Sequence, residues 1–160
     1  MEIRRARAEE YGRIADILSS AYAPSGLAPG DDYYEHLRDV AGRAVGAEVW
    51  VAVDGPDVVG TVTWPPAGSA HREVAADDEA EFRMLAVDPS VQGRGVGRAL
   101  LDEVVNRART EGFRRVVLST AFWSTAAHRL YADYGFVHVP DRDWPVYPDL
   151  VLQVYALELG

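Results

Sequence analysis

Apolar residues recur every three or four positions in four segments of the chain. This spacing predicts helices that bury one face. Glycines and prolines follow each segment, as they do at helix ends. The predicted helices are a segment with apolar positions from Tyr11 to Tyr22, a short one over 31–41 capped by Asp31 or Asp32, a long one from Gly95 that Gly112 ends, and one with apolar positions from Ala127 to Tyr134 that Gly135 ends.

Seven further segments have alternating or continuous apolar residues, which predict strands. Asp54-Gly55-Pro56-Asp57 separates two of them and predicts a hairpin turn. Polar loops are predicted over 65–78 and 140–148. Because helices and strands alternate, the sequence predicts one α/β domain over residues 1–160 with a mixed sheet. The predicted strands are 2–5, 48–53, 58–64, 79–87, 115–120, 136–139 and 150–159.

Charge and composition exclude several kinds of chemistry. The chain has 25 acidic and 16 basic residues, no cysteine, and no lysine, since every basic residue is arginine. A P-loop lysine, a Schiff-base lysine and a cysteine nucleophile are therefore excluded. All of the net charge of −9 lies in residues 1–81. This field repels nucleic acid and predicts a cationic partner, although an acidic surplus can also serve solubility alone.

The sequence contains no metal-binding or membrane signal. Its four histidines have no metal-ligand spacing, so no metal is expected. No apolar run approaches the roughly 18 residues of a membrane span, and the first residues lack the apolar stretch of a signal peptide. We expect a cytoplasmic protein that contacts neither a membrane nor nucleic acid.

The most informative segment joins a predicted strand to the long helix. After Leu85-Ala86-Val87, glycines occupy three alternate positions in Gln92-Gly93-Arg94-Gly95-Val96-Gly97-Arg98, here called the glycine turn. Glycine lets neighbouring backbone N–H groups point to one place, and a helix start adds unpaired N–H donors. The turn therefore predicts an anion site. The dinucleotide pattern G-x-G-x-x-G lacks its third glycine in both frames, and the P-loop pattern lacks its lysine.

Gln92 to Gly97 resembles the signature R/Q-x-x-G-x-G/A of the GNAT superfamily of acetyl-CoA-dependent N-acetyltransferases. A second signature, Ala127-x-x-Leu130-Tyr131-x-x-x-Gly135-Phe136, follows about 35 residues later. The order of elements extends the resemblance over nearly the whole chain. It implies a single GNAT-like domain with a mixed, mostly antiparallel central sheet of about six to seven strands, flanked by about four helices.

The resemblance implies that acetyl-CoA is the cosubstrate and that a primary amine is the acceptor. With no cysteine to carry the acetyl group, the amine attacks directly in a ternary complex. A noncatalytic acyl-CoA-binding or regulatory module of the same fold is the alternative, and a homodimer is an expectation from the family. The residues that the resemblance assigns to acetyl-CoA are Leu85, Ala86, Val87, Gln92, Gly93, Arg94, Gly95, Val96, Gly97, Arg98 and Ser124.

Two residues are candidates for proton transfer. The resemblance places a tyrosine acid at Tyr131, where a phenol can give a proton to the departing thiolate. Periodicity alone favours a core position for Tyr131. The resemblance also places a catalytic glutamate six residues before Val87, at Glu81, which shares a strand face with Leu85 by the two-residue period. Glu79 is the competing base, and both glutamates can also be merely solvated strand residues.

The remaining candidates are less specific. The backbone N–H of Val87 or a neighbour is expected to meet the developing oxyanion. Ser124 stands where many family members have asparagine, so it either bonds the pantetheine chain or only caps the helix. Aromatic residues in or beside the loops can form an acceptor pocket with Asp31 and Asp32, although such aromatics are more often core. These are Tyr33, Tyr34, Trp64, Trp144 and Tyr147.

Overall fold

The computed structural model describes residues 1–26, 28–121, 124–148 and 150–160. The side chain of Tyr147, one of the aromatic acceptor candidates, lies outside the described part. The described residues form five α-helices and nine strands, with short 3₁₀ turns between them. The helices are α1 (Tyr11–Tyr22), α2 (Asp32–Arg38), α3 (Val40–Gly46), α4 (Val96–Thr110) and α5 (Thr125–Tyr134). The strands are β1 (Glu2–Arg5), β2 (Glu48–Asp54), β3 (Asp57–Trp64), β4 (Glu79–Glu81), β5 (Arg83–Val87), β6 (Arg115–Thr120), β7 (Val137–His138), β8 (Trp144–Tyr147) and β9 (Leu150–Glu158).

The strands form two sheets. In the first, β1, β2, β3 and β5 follow one another and every pairing is antiparallel. In the second, β4 pairs with β6 in parallel, and β6, β7 and β8 pair with β9 antiparallel. The predicted single α/β domain with a mixed, mostly antiparallel arrangement is confirmed, with the strands divided between two sheets.

The first sheet is covered on both faces. Helix α1, with Leu37 and Val40, packs on the face formed by Val49, Val51, Val58, Met84 and Ala86. Helix α4 packs on the opposite face, against the residues Trp50, Ala52, Val59, Val62 and Trp64, and this core continues into β6 and α5. The apolar stripe predicted for the long helix is the buried one: Leu100, Leu101, Val104, Val105 and Ala108.

A glycine in β3 allows α4 to lie close to the sheet. A Cβ atom added to Gly60 would be 2.8 Å from Cγ1 of Val96 and 3.3 Å from the carbonyl oxygen of Ala86. Any larger residue would therefore push the first turn of α4 away from β5. The start of this helix and the end of β5 are held side by side at the place where the glycine turn joins them.

The predicted strand over 79–87 is two strands, which is a correction. β4 ends at Glu81 in the second sheet, and β5 begins at Arg83 in the first. Met84, the second residue of β5, has a φ of +55°, a left-handed conformation that costs a residue with a side chain about 1 kcal/mol. Phe82 and Leu85 both contact the core under α4. The alternation therefore shifts by one residue, and Glu81 does not share a face with Leu85.

Two other predictions are corrected. The helix predicted over 31–41 is interrupted at Asp39, whose carboxylate accepts a hydrogen bond from the backbone N–H of Gly42 and caps α3. The loop predicted over 140–148 contains β8, which pairs with the long strand β9. In both cases a contact between individual residues, a capping carboxylate or a strand pairing, defines a short element that has no apolar period of its own.

No helix in the described part of the chain combines the length and the apolar character that crossing a membrane requires.

Glu79 is the centre of a buried ion-pair network. It is 2% exposed and accepts hydrogen bonds from Arg115, Arg142 and the backbone N–H of Ala76. Burial alone would raise the pKa of Glu79, but these donors outweigh burial and lower it to about 2. The carboxylate thus joins β4 to β6 and to the segment before β8.

We predict that Glu79→Gln lowers the free energy of unfolding at pH 7 by about 3 kcal/mol, because two arginines lose their charged partner. The folded-state pKa is lowered, so this contribution is present above the ordinary value of 4.5 and is lost as pH falls toward about 2. Urea unfolding at several pH values measures it. The exposed Glu158, which also pairs with Arg115, supplies the control variant Glu158→Gln with a much smaller effect. Equal effects of the two variants would contradict the network.

Candidate active site

A cavity of about 840 Å³ opens where the two sheets separate. β4 pairs with β6 as far as Glu81 and Val117, but β5 pairs only with β3. The edges of β5 and β6 therefore diverge beyond this point, and the cavity lies between them. Leu85, Ala86 and Val87 line one side, and residues 118–121 line the other.

One backbone donor of β5 points into this gap. The N–H of Asp88 donates to the carbonyl of Val59 in β3. Because consecutive N–H groups of a strand point to opposite edges, the N–H of Val87 points away from β3 and toward the cavity. This is the donor that the sequence suggests for an oxyanion.

The glycine turn forms the end of the cavity next to β5. Gly95 has a φ of +81° and precedes the first turn of α4. Ala99 makes the first hydrogen bond inside the helix, to the carbonyl of Gly95, so the N–H groups of residues 96–98 have no partner within the helix. These donors and the positive end of the helix dipole suit an anion such as a phosphate. The residues of the turn that line the cavity are Gln92, Gly93, Gly95, Val96, Gly97 and Arg98.

The two arginines of the turn differ in position. Arg98 lines the cavity and places its guanidinium 5.0 Å from the centre of the Tyr134 ring. Arg94 is exposed and is not among the lining residues, so its contact with the cofactor stays a prediction. Ser124 lines the cavity at the position before α5, and its side chain makes no capping hydrogen bond.

Tyr131 lies both in the core and in the cavity wall. It is 5% exposed, and its ring centre is 5.9 Å from those of Phe82 and Phe136. Burial raises the pKa of Tyr131, so its hydroxyl keeps its proton at neutral pH. The structure records no hydrogen bond from this hydroxyl to any described residue. Tyr131 is thus a core residue, as its periodic position predicts. It also lines the cavity, where the resemblance expects a proton donor.

Neither predicted base lines the cavity. Glu81 is fully buried, and its carboxylate accepts hydrogen bonds of 3.0 to 3.1 Å from the backbone N–H groups of Glu73, Val74 and Ala75. Its oxygens thus hold the loop that precedes β4. Glu79 is occupied by its arginine network. Backbone N–H groups of the loop over 65–78 thus surround Glu81, and Arg115 and Arg142 hold Glu79, so both carboxylates are directed to donors of the protein.

The structure instead brings Glu73 to the cavity, a residue that the sequence leaves within the loop over 65–78. Its Oε1 is 3.0 Å from Nε of Arg83, which also lines the cavity. Burial raises the pKa of Glu73, Arg83 lowers it, Glu81 raises it, and the net direction is upward. No sequence signal identifies this glutamate, because the loop that carries it has no regular period.

The aromatic candidates separate into two groups. Tyr33 lines the cavity, 5.9 Å from Tyr22 between ring centres, and burial raises its pKa. Tyr34 and Trp144 are half-buried and do not line the cavity. Trp64 is fully buried and stacks on Trp50 at 5.5 Å, so its proposed contact with substrate is corrected to a core position. We call the end of the cavity formed by Tyr33, Glu73 and Arg83 the acceptor end.

The acidic surplus of residues 1–81 is not concentrated in the cavity. Among the described residues of that half, Glu73 is the acidic one that lines it. Asp31 and Asp32 are exposed elsewhere. Most of the surplus therefore has no direct contact with the cavity, and solubility remains the alternative interpretation of it. Among described residues, no three potential histidine, aspartate or glutamate ligands meet in a metal-sized group.

Sequence comparison identifies the family. The profile of the Acetyltransferase (GNAT) family matches residues 11–136, and the chain belongs to this family. The amino-acid acetyltransferase of Mycobacterium tuberculosis is 35% identical over 139 residues, which are 86% of this chain and 68% of that protein. N-acetylaspartate synthetase of Rattus norvegicus is 36% identical over 109 residues, which are 68% of this chain and 34% of that protein. The chain spans about a third of the length of the N-acetylaspartate synthetases it matches.

Solved structures show the same fold. An acetyltransferase of the GNAT family from Staphylococcus aureus has a TM-score of 0.76 at 18% identity, and 99% of each chain is covered. An acetyltransferase from Salmonella typhimurium, solved with its cofactor acetyl-CoA, has a TM-score of 0.67 at 24% identity, with 99% of this chain and 94% of that one covered. The fold expected from the two signatures is confirmed.

We predict that Gly95→Val weakens acetyl-CoA binding at least about tenfold, because a β-branched residue at this φ shifts the N–H groups of the turn. Titration calorimetry measures the affinity. Gly112 provides a matched control, since it has the same φ of +81° and open space where a Cβ atom would lie, but is beyond the other end of α4. Gly112→Val is expected to lower stability and to retain affinity. Unchanged acetyl-CoA affinity of Gly95→Val would show that the glycine turn is not part of the acetyl-CoA site.

Proposed function

We propose that this protein transfers the acetyl group of acetyl-CoA to a primary amine by direct attack in a ternary complex. The observation that carries the proposal is a single cavity that joins the glycine turn, the open edge of β5, Tyr131 and Glu73. The names of the relatives refer to acetylation of aspartate and of amino acids, which are primary amines. The absence of cysteine from the chain supports direct transfer over a cysteine-bound acetyl group.

The features along the cavity match the successive parts of acetyl-CoA, which supports it as the cosubstrate. The N–H groups at the start of α4 suit the pyrophosphate, and Arg98 adds a positive charge beside them. The divergent edges of β5 and β6 leave unpaired strand positions that suit the amides of the pantetheine arm. Acetyl-CoA supplies the activated acetyl group. The N–H of Val87 is directed to where charge on the carbonyl oxygen would develop.

Glu73 replaces Glu81 as our proposed base. The acceptor nitrogen must lose a proton to attack, and a carboxylate whose pKa is raised by burial accepts one more readily. Glu73 lines the cavity, whereas the oxygens of Glu81 are held by three backbone N–H groups. The ammonium form of the acceptor first gives one proton to Glu73, which later returns it to solvent. As the new C–N bond forms and the C–S bond breaks, the second proton of the nitrogen passes to the departing thiolate, so that CoA leaves as the free thiol.

Tyr131 is the proposed hydrogen-bond donor to the departing sulfur. A thiol has a pKa near 8.5, below that of a buried phenol, so complete transfer from tyrosine to thiolate is uphill. The hydroxyl therefore contributes mainly by donating a hydrogen bond to the sulfur as its negative charge grows. Because burial raises the pKa of Tyr131, this donor is present throughout the neutral pH range.

We predict that Tyr131→Phe lowers kcat by about 10²-fold or more while acetyl-CoA affinity changes little, since the ring still packs against Phe82 and Phe136. Thiol release and calorimetry measure the two quantities. Tyr134→Phe is the control on the same helix, because the Tyr134 hydroxyl bonds to Asp102 away from the cavity. If acetyl-CoA binds but no amine in a broad panel releases thiol, the noncatalytic module becomes the better interpretation.

We predict opposite phenotypes for two neighbouring glutamates. Glu73→Gln should lower kcat by about 10²-fold with little loss of stability, and should remove the acid limb of the pH profile, which lies above the usual glutamate range because the pKa of Glu73 is raised. Glu81→Gln should lower the free energy of unfolding by about 2 kcal/mol, because the loop over 73–75 loses a charged acceptor. Kinetics and urea unfolding of both variants are the measurements. Full activity of Glu73→Gln would show that Glu73 is not the base.

A further inference from the structure

A buried arginine without an ionic partner lies near the acceptor end. Arg43 on α3 is 1% exposed, and its Nη1 donates to the carbonyl of His36 at 2.5 Å. Its Nε and Nη2 have no hydrogen-bond partner among the described residues. None of the described carboxylates is within ion-pair distance of it.

Such an arrangement is costly unless something compensates the charge. An unpaired ion removed from water loses several kcal/mol of solvation, and buried guanidinium groups are normally paired. The charge of Asp39 does not fill this role, because Asp39 is exposed and its side chain caps α3. Burial lowers the pKa of Arg43, and the positive charge of Arg83 lowers it further.

Two histidines close to Arg43 and Arg83 are affected by the positive charge of these arginines. Burial lowers the pKa values of His36 and His71, and Arg43 and Arg83 both lower them further. The loop that carries His71 is held against α3, where Oγ of Ser69 donates to the carbonyl of Gly46 at 2.6 Å. Two arginines and two histidines thus surround the acceptor end from α2, α3, β5 and this loop.

Arg83 connects this positive region to the cavity. It lines the cavity, while Arg43 does not, and the charge of Arg43 acts on Arg83, Tyr33 and Tyr22, which do. The Nε of Arg83 pairs with Glu73, and its Nη1 donates to the carbonyl of His71 at 3.2 Å. Its Nη2 has no hydrogen bond to any described residue. Arg83, a residue of the cavity wall, thus has one nitrogen without a partner among the described residues.

The charges around the acceptor end do not balance. Glu73 balances Arg83, and the carboxylate of Glu81 is directed to backbone N–H groups of the loop. The positive charge of Arg43 is left without a counterpart among the described residues. One added negative charge at the acceptor end would balance the positive charge of Arg43.

We propose that the acceptor amine carries a carboxylate, which Arg83 contacts and which Arg43 attracts as a positioning residue. The class of substrate is an amino acid, whose ammonium group lies beside Glu73 and whose carboxylate meets Nη2 of Arg83. This assignment rests on the proposed acetyl transfer and replaces the purely cationic acceptor expected from the net charge. A planar guanidinium suits a carboxylate because it offers parallel N–H donors.

The test compares amines that differ only in the acid group. A panel of L-amino acids, each beside its carboxamide and its decarboxylated amine, is assayed for thiol release from acetyl-CoA. The wild-type protein is expected to prefer the acids by about 10-fold or more in kcat/KM, which is the usual worth of a hydrogen bond to a charged group.

The variants locate the preference. Arg83→Gln and Arg43→Gln should each reduce the acid-to-amide ratio about 10-fold, mainly through KM, and Arg43→Lys should keep a larger part of it because the charge remains. Arg38→Gln is the matched control, since Arg38 lies on the adjacent α2 and pairs with Asp16 near the surface. If Arg43→Gln fails to fold, the acid-to-amide ratios of Arg83→Gln and Arg43→Lys still test the proposal.

The outcomes separate this inference from the proposed function. If amines are acetylated but acids and amides react equally well, the carboxylate site is overturned and acetyl transfer stands. If no amine is acetylated, the proposed function fails. The carboxylate site is then tested by the shift in melting temperature that each acid and each amide produces with acetyl-CoA present. Greater stabilisation by the acids than by their amides supports it, and equal stabilisation overturns it.

Discussion

The change of hydrogen-bond partner between β4 and β5 is the constraint on which the site depends. A continuous strand over 79–87 would pair along its whole length with β6 and close the space between the sheets. The left-handed turn at Met84 directs β5 to β3 instead, at a cost of about 1 kcal/mol. The same turn leaves one edge of β5 unpaired and faces the N–H of Val87 into the gap.

The loop before β4 is held in place by two carboxylates of β4. Glu79 and Glu81 lie on the same face of β4, and both are buried, yet each is surrounded by donors rather than by substrate. Their carboxylates hold the loop so that Glu73 and the carbonyl of His71 reach Arg83. Glu79 and Glu81 thereby position Glu73 at the cavity, and Arg83 beside it keeps one donor for the carboxylate that we propose for the acceptor.

Much of the fold could be predicted because its elements have strong local periods. Helix α4 and strand β6 were expected from their apolar patterns and end near the predicted residues, and the hairpin at 54–57 follows from its turn sequence. Elements with weak local signals were missed. Strand β8 exists because it pairs with β9, and the break between α2 and α3 at Asp39 depends on a single capping carboxylate.

The family, the glycine turn and the place of Tyr131 follow from residue types at short, regular spacings, which are readable along the chain. Folding determines which acids bind protein donors and which one lines the cavity, and it brings the charges of Arg43 and Arg83 from α3 and β5 to one region. An alternating pattern reports which face a residue occupies but not which strand lies beside it. Strand pairing, burial and the neighbouring charges are properties of the folded chain. They determine the chemistry of each carboxylate and guanidinium.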